Sequence, residues 1–174
     1  MFFRKERIRL VRLLIEINEK IFFYSKLKTA YTEMFKKHPL NIVIDVGVNR
    51  GQTINFVKKF NKNVKIIGFE PNKELYALLK KRNFKNLSLL NYGCSNFDGK
   101  LIFNQNILDE SSTFENVKIN SNWLKKKALI LGVKPDKLIK KTYPVEVIQL
   151  ANYINKKIKE PTIDLIKIDV EGHE

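Results

Sequence analysis

The closing segment "IDVEGHE", residues 168–174, sets Asp169, Glu171 and His173 at alternating positions directly after an apolar run. Carboxylates and an imidazole gathered at a strand end can take a proton from a hydroxyl group. Imidazole titrates near neutral pH, and a poor nucleophile needs a base that works there. Asp169 and Glu171 can orient His173 or act as the base themselves, so all three are candidate catalytic residues. Two plainer readings stand beside this one. Glu171 can open a helix, where a carboxylate favours the positive end of the dipole, and His173 can simply be solvated. The three alternate too closely for a ligand set on one defined element, and no metal site is assigned.

Two other apolar runs also deliver an acid. "DVGVNRG", from Asp45 to Gly51, has glycines where backbone must approach a ligand closely. It lacks the spacing of the dinucleotide fingerprint and the Gly-Lys-Ser/Thr of a phosphate-cradling loop. An acid two residues before Gly47 suits a ligand bearing positive charge, an ammonium or sulfonium group, although a ligand-free strand-to-helix turn has the same look. Glu70, in "FEPN", follows the loop by about 20 residues, the distance at which an acid grips a ribose in Rossmann folds. A carboxylate accepts both hydroxyls of a vicinal diol, and Pro71 sets the backbone for the next helix.

These acids need a scaffold that brings them together. "NIVIDVGV", "VKIIGFE", "LSLLNYGCS", "GKLIFN" and "IDLIKIDV" read as strands, the third and fourth joined by the turn "NFDG". "QTINFVKKF" and "NKELYALLKKRN" read as helices, the second with Leu75, Leu78 and Leu79 on one face. Alternation of helices with strands apolar throughout predicts an α/β fold with a mostly parallel sheet covered on both faces. In such sheets ligands sit beyond the carboxyl ends of the strands, where Asp45, Glu70 and Asp169 fall. "NWLKKKALILGVKPDKLIKK" predicts a lysine-rich helical insertion, and "YPVEVIQLANYINKK" a short strand leading into a helix. Trp123 in that insertion is expected to anchor packing.

The 174 residues suffice for one compact domain, and the 44% hydrophobic content fits a globular protein. No apolar run approaches the roughly 20 residues of a membrane span, and the charged start "MFFRKERIRLVRLLIEINEK" excludes a signal-peptide core. The single cysteine, Cys94, excludes an internal disulfide and a cysteine zinc cage, which favours a reducing cytoplasm. A net charge of +15 attracts phosphates on nucleic acid, lipid or a nucleotide-linked substrate, but scattered lysine is weak support for a dedicated groove. Residues 1–40 read as a basic helical segment, with Leu10, Leu13, Leu14, Ile17 and Ile21 at helical spacing and a stop at His38-Pro39. Such an arm can lie on a membrane surface; packing of that stripe against residues 41–174 is the preferred expectation.

"IDVGVNRGQT", "GFEPNKELYALLKK", "DESSTF" and "IDLIKIDVEGHE", in this order, resemble the FkbM-type family of S-adenosylmethionine-dependent methyltransferases from about Asn41 to the last residue. The resemblance implies a Rossmann-like methyltransferase fold, S-adenosylmethionine as methyl donor, and O-methylation of sugars or other hydroxyl-bearing acceptors. It implies that Asp45, Gly47, Asn49 and Gly51 border the methionine part of the cofactor and that Glu70 holds its ribose. Cys94, Ser95 and Asn96 would bracket the adenine, while Asp169, Glu171 and His173 face the methyl group and acceptor. Ser111 and Ser112 match a serine pair on the acceptor side. Leu150, Ala151 and Asn152 stand where the family usually has Leu-Asp-Asp. The resemblance also implies further strands after "DVEGHE", so the C-terminal strands are expected to be missing. Two rival functions are a nucleic-acid methyltransferase, disfavoured because no Asn/Asp-Pro-Pro-Tyr segment is present, and a non-catalytic remnant.

Overall fold

Strand β1 (Ile42–Val46) is buried at every position, as its Ile and Val residues favour, because strands pair with it on both sides. The computed structural model describes residues 2–159 and 162–174. In it, β1 lies between β2 (Lys65–Phe69) and β7 (Leu165–Ile168), and β2 pairs outward with β3 (Leu87–Leu90). All these pairings are parallel, with helix α3 (Gln52–Val57) crossing from β1 to β2 and helix α4 (Lys73–Arg82) from β2 to β3. Asn72 caps α4, its side chain accepting from the Glu74 and Leu75 N–H groups. From β1 the chain runs to β2 and β3 on one side, then returns to β7 on the other. The order therefore reverses between β1 and β7, where an α/β sheet opens its ligand crevice.

The alternation of side chains along β1 decides what covers each face. Val43 packs with Ile66 and Leu165 beneath α2 (Tyr24–Lys37), α3 and α4, in a core that includes the aromatic group Phe35, Phe56 and Phe60. Ile44, Val46 and Phe69 face α6 (Leu150–Lys157), where Tyr153 stands edge-on to Phe69 at 5.2 Å. Coverage of this second face stops short of β7. Ile166 and Ile168 are about half exposed, so the expectation of a strand covered on both faces fails at β7.

Two other expectations are corrected. "LSLLNYGCS" is not one strand: β3 ends at Leu90, and Gly93–Ser95 forms β4 of a second sheet. The Asn91 side chain donates to the carbonyls of Glu70 and Pro71, which ends the ladder and turns the chain away. The second sheet has the order β4-β6-β5, with β6 (Ile139–Gln149) parallel to β4 and antiparallel to β5 (Gly99–Asn106). The predicted insertion helix is α5 (Asn122–Leu131), whose Leu124, Ala128 and Leu131 are buried, while Trp123 is exposed rather than anchoring a core.

The N-terminal arm is one helical run: α1 (Phe2–Asn18), a π-helical turn Glu19–Phe23, then α2. The stripe Leu10, Leu13, Leu14, Ile17 and Ile21 faces solvent, against expectation. Ile8, Val11 and Ile15, offset from it around the helix, pack on α5 instead. Arg12 lies beside this packed set and donates to the Ile107 carbonyl and to Asp109, partners that only the folded chain supplies. The π turn inserts extra backbone, which rotates Tyr24 and Leu27 of α2 onto the main core.

Candidate active site

Backbone fixes the first loop. The Gly47 and Val48 N–H groups both donate to the Phe69 carbonyl, at 3.0 and 3.2 Å, folding the chain over the end of β2. Gly47 has φ +79°, and a Cβ added there would lie 2.1 Å from the Asp169 carbonyl oxygen. Only glycine lets the β1 loop and the end of β7 meet. Asn49 is also left-handed, at φ +52°. Its N–H donates to Glu70 Oε2 at 2.7 Å, while the Asn72 N–H donates to Oε1 at 2.8 Å. The Glu70 carboxylate thus clips the loops after β1 and β2 together, and each oxygen keeps a lone pair.

Above these loops is a cavity of about 330 Å³, within the range of small-molecule sites. Gly47, Asn49, Glu70, Cys94, Ser112, Asp169 and Glu171 all line it. Asp45 is fully buried beneath, and Lys167 stands between it and the cavity. The Lys167 Nζ lies 3.3 Å from Asp45 Oδ1, 3.5 Å from Asp169 Oδ2 and 2.8 Å from the Gly47 carbonyl. The positive charge that Asp45 calls for is supplied from within the chain. Gly51 faces packing rather than ligand: it caps α3 at φ +85°, with Leu79 and Phe84 3.3 Å from an added Cβ.

Ser95, Asn96 and His173 line an adjoining cleft instead. His173 Nδ1 lies 2.7 Å from Glu115 Oε1 and Nε2 lies 3.2 Å from Ser95 Oγ, so both ring nitrogens have protein partners. Cys94 borders both spaces, and burial pushes its thiol up to about 12, which keeps it neutral and unreactive. Ser112 Oγ accepts from the Asn106 N–H, and Ser111 Oγ accepts from Lys127. Glu171 sits at φ +56°, uncommon for a residue with a side chain and characteristic of functional loops. The Thr113 hydroxyl of "DESSTF" donates to the Glu171 carbonyl at 2.9 Å and holds it there. Burial first, and then the charge of Asp169, raises the Glu171 carboxyl.

Several lining residues escaped the sequence reading. Glu19 and Tyr24 reach the cavity from the N-terminal helices, and burial raises the Glu19 carboxyl despite a hydrogen bond from Gln52. Asp109 and Glu110 form a wall with Arg50, which pairs with Asp109 at 2.5 Å and lies 3.7 Å from Glu110. Lys167 had a signal, as the lone charge inside an apolar strand. Glu19 had none, because its place depends on contacts distant in sequence.

Three polar features test whether a nucleoside with an amino-acid arm fits. Among the described residues, Asn49 Oδ1 and Asn72 Nδ2 are buried without a hydrogen-bond partner. Glu70 adds two acceptor sites suited to a diol. A buried donor and acceptor left open beside a carboxylate suited to a diol are what such a ligand would satisfy, and these residue types are compatible with S-adenosylmethionine. Among the described residues no group of three or more His, Cys, Asp or Glu could hold a metal ion.

Burial pushes the Glu70 carboxyl up to about 7, against two backbone donors that lower it, and Asp45 up to about 6, against Lys167. Both hold protons in the folded state at a pH where the unfolded chain has released them. Their contribution to stability is therefore intact below about pH 4 and declines as pH rises toward 7. A ligand that bonds to the ionised carboxylate must displace the Glu70 proton. Affinity for S-adenosylmethionine should accordingly rise severalfold between pH 5.5 and 8. Calorimetry across this range checks it, and a flat profile would remove the Glu70 assignment.

The parallel sheet with flanking helices, and the crevice at its reversal point, define a Rossmann-like α/β fold of the methyltransferase type. The family model for the methyltransferase FkbM domain matches residues 45–174, and the chain belongs to that family. It is therefore a methyltransferase by family. No curated protein and no solved structure matched the chain.

Proposed function

We propose that this protein uses S-adenosylmethionine to O-methylate a hydroxyl group of a sugar, glycolipid or similar small acceptor. One observation carries the reading: Glu70, suited to a ribose, shares a single cavity with Asp169 and Glu171, suited to deprotonating an acceptor. When bound, S-adenosylmethionine supplies an electrophilic methyl group on a sulfonium centre. Asn49, Glu70 and Asn72 would hold it. The chain's remaining task is to bring an acceptor oxygen in line and remove its proton, and positioning supplies much of the acceleration.

Glu171 is the better base of the two. Desolvation and the neighbouring Asp169 raise its carboxyl, so it accepts a proton more readily than an ordinary carboxylate, and its left-handed backbone sets it at the cavity wall. Asp169 is largely exposed and lies 3.5 Å from the Lys167 Nζ, which suits it to an orienting role. His173, turned to Glu115 and Ser95, supports the loop from behind. Transfer of labelled methyl groups to a panel of glycans and glycolipids tests the reading. Glu171→Gln should lower turnover about 100-fold or more while S-adenosylmethionine affinity stays within about twofold. Absence of any binding heat with S-adenosylmethionine would defeat the cofactor assignment, and an unchanged rate in Glu171→Gln would transfer the base role elsewhere.

A further inference from the structure

Helix α1 has two apolar sides. Ile8, Val11 and Ile15 are used in packing on α5, but Leu10, Leu13, Leu14, Ile17 and Ile21 are exposed, Leu10 and Leu14 at 56% each. Helix α5 repeats the pattern. Its inner face, Leu124, Ala128 and Leu131, is buried, whereas Trp123 is 63% and Leu129 75% exposed, with Ile130 beside them. The two helices pack on each other, and the Arg7 guanidinium donates to the Leu129 carbonyl at 3.1 Å. Each helix thus keeps exposed apolar residues away from the seam between them. Solitary exposed apolar residues are ordinary, but a stripe of leucines and isoleucines at helical spacing, from Leu10 to Ile21, is not.

Charge indicates what covers it. Exposed Lys5, Arg7 and Arg9 border the α1 stripe, and Lys125 and Lys126 lie among the exposed residues of α5. Glu6 and Glu16 are the exposed acids on α1, and the whole chain carries +15. Apolar residues bordered by lysine and arginine, with a tryptophan among them, are the signature of a helix lying in the plane of an anionic bilayer. Among the described residues no helix is long and apolar enough to cross a membrane. A second protein copy would have to neutralise the same cationic border with its own identical, cationic one.

We propose that the outer faces of α1 and α5 dock this protein on the surface of an anionic phospholipid bilayer. Leu10, Leu13, Leu14, Ile17, Trp123 and Leu129 enter the headgroup boundary, and the bordering lysines and arginines meet lipid phosphates. Ile17 and Ile21 flank Asn18 and Glu19, two residues of the cavity wall, so the docked face runs up to the site. The inference rests on exposure, packing and charge, not on the methyl-transfer reading.

Trp123 is the sole tryptophan, so its fluorescence reports docking directly. The full chain is mixed with vesicles of phosphatidylcholine alone, or of phosphatidylcholine and phosphatidylglycerol in equal parts. With the anionic vesicles, the Trp123 emission should shift to the blue and the protein should co-sediment. Raising salt from about 100 mM to about 500 mM should weaken partitioning about tenfold. The pair Leu10→Glu and Leu14→Glu should remove binding with the melting temperature unchanged, because both side chains are exposed. Failure to co-sediment with the anionic vesicles overturns the proposal, as does equal binding to neutral ones. A concentration-dependent dimer that Leu10→Glu disperses, seen without vesicle binding, overturns it in favour of self-association.

Discussion

Gly47→Ala is expected to destabilise the fold by at least about 3 kcal/mol and to abolish cofactor binding at concentrations where the parent protein is saturated. Two independent effects act in the same direction. The backbone sits at φ +79°, where a side chain is strained, and the new methyl group would lie 2.1 Å from the Asp169 carbonyl oxygen. A backbone atom cannot swing aside as a side chain can. Either the loop or the end of β7 must move, and both line the cavity. Gly51→Ala is the informative comparison. It shares the left-handed backbone, but its added carbon would meet only the Leu79 and Phe84 side chains at 3.3 Å, so about 1–2 kcal/mol is expected. Urea denaturation of both variants gives the two values. Equal midpoints for Gly47→Ala and Gly51→Ala would show that the contact between loop and β7 is not close in solution.

Glu70→Ala should weaken S-adenosylmethionine binding by about 1.5–3 kcal/mol, the worth of a hydrogen-bonding charged group. The structure adds a second consequence. The Asn49 and Asn72 N–H groups lose their shared acceptor, so the loops after β1 and β2 separate. Relief of a buried carboxylate offsets part of the folding penalty, which makes ligand affinity the larger signal. Glu70→Gln separates the roles. It keeps the shape and one good acceptor but has nothing to titrate, so affinity should fall less and its rise with pH should flatten. Calorimetry at pH 6 and pH 8 reads both effects. A Glu70→Gln profile as steep as that of the parent protein would place the titrating group elsewhere.

Parts of this molecule are legible from local pattern. β1 and β2 announce themselves because a parallel strand buried on both sides has no choice but to be apolar, and β7 carries the same apolar pattern although one of its faces stays half exposed. Gly47 and Glu70 stand out because a glycine turn and an acid at a strand end have few other uses at that spacing. The reading of α1 failed for the opposite reason. Its sequence offers two apolar stripes, and periodicity alone cannot say which one the core accepts. Arg12, which lies with the packed stripe, finds Asp109 and the Ile107 carbonyl only once the chain has folded. The second sheet was missed in the same way: "LSLLNYGCS" is continuous in hydrophobicity, and the break comes from Asn91 reaching carbonyls some 20 residues away in sequence.

By itself, then, the amino-acid order determined the fold class, the two loops that shape the cavity and three of the carboxylates that line it, Glu70, Asp169 and Glu171, since each follows from a short-range pattern. The tertiary structure alone decided that Asp45 is answered by Lys167, that His173 turns to Glu115 and that Glu19 reaches the cavity. It alone left the leucines of α1 facing out. Those outcomes depend on which partners meet across long separations in sequence. Charge pairing and side-chain packing are settled by proximity in space, which no local spacing encodes.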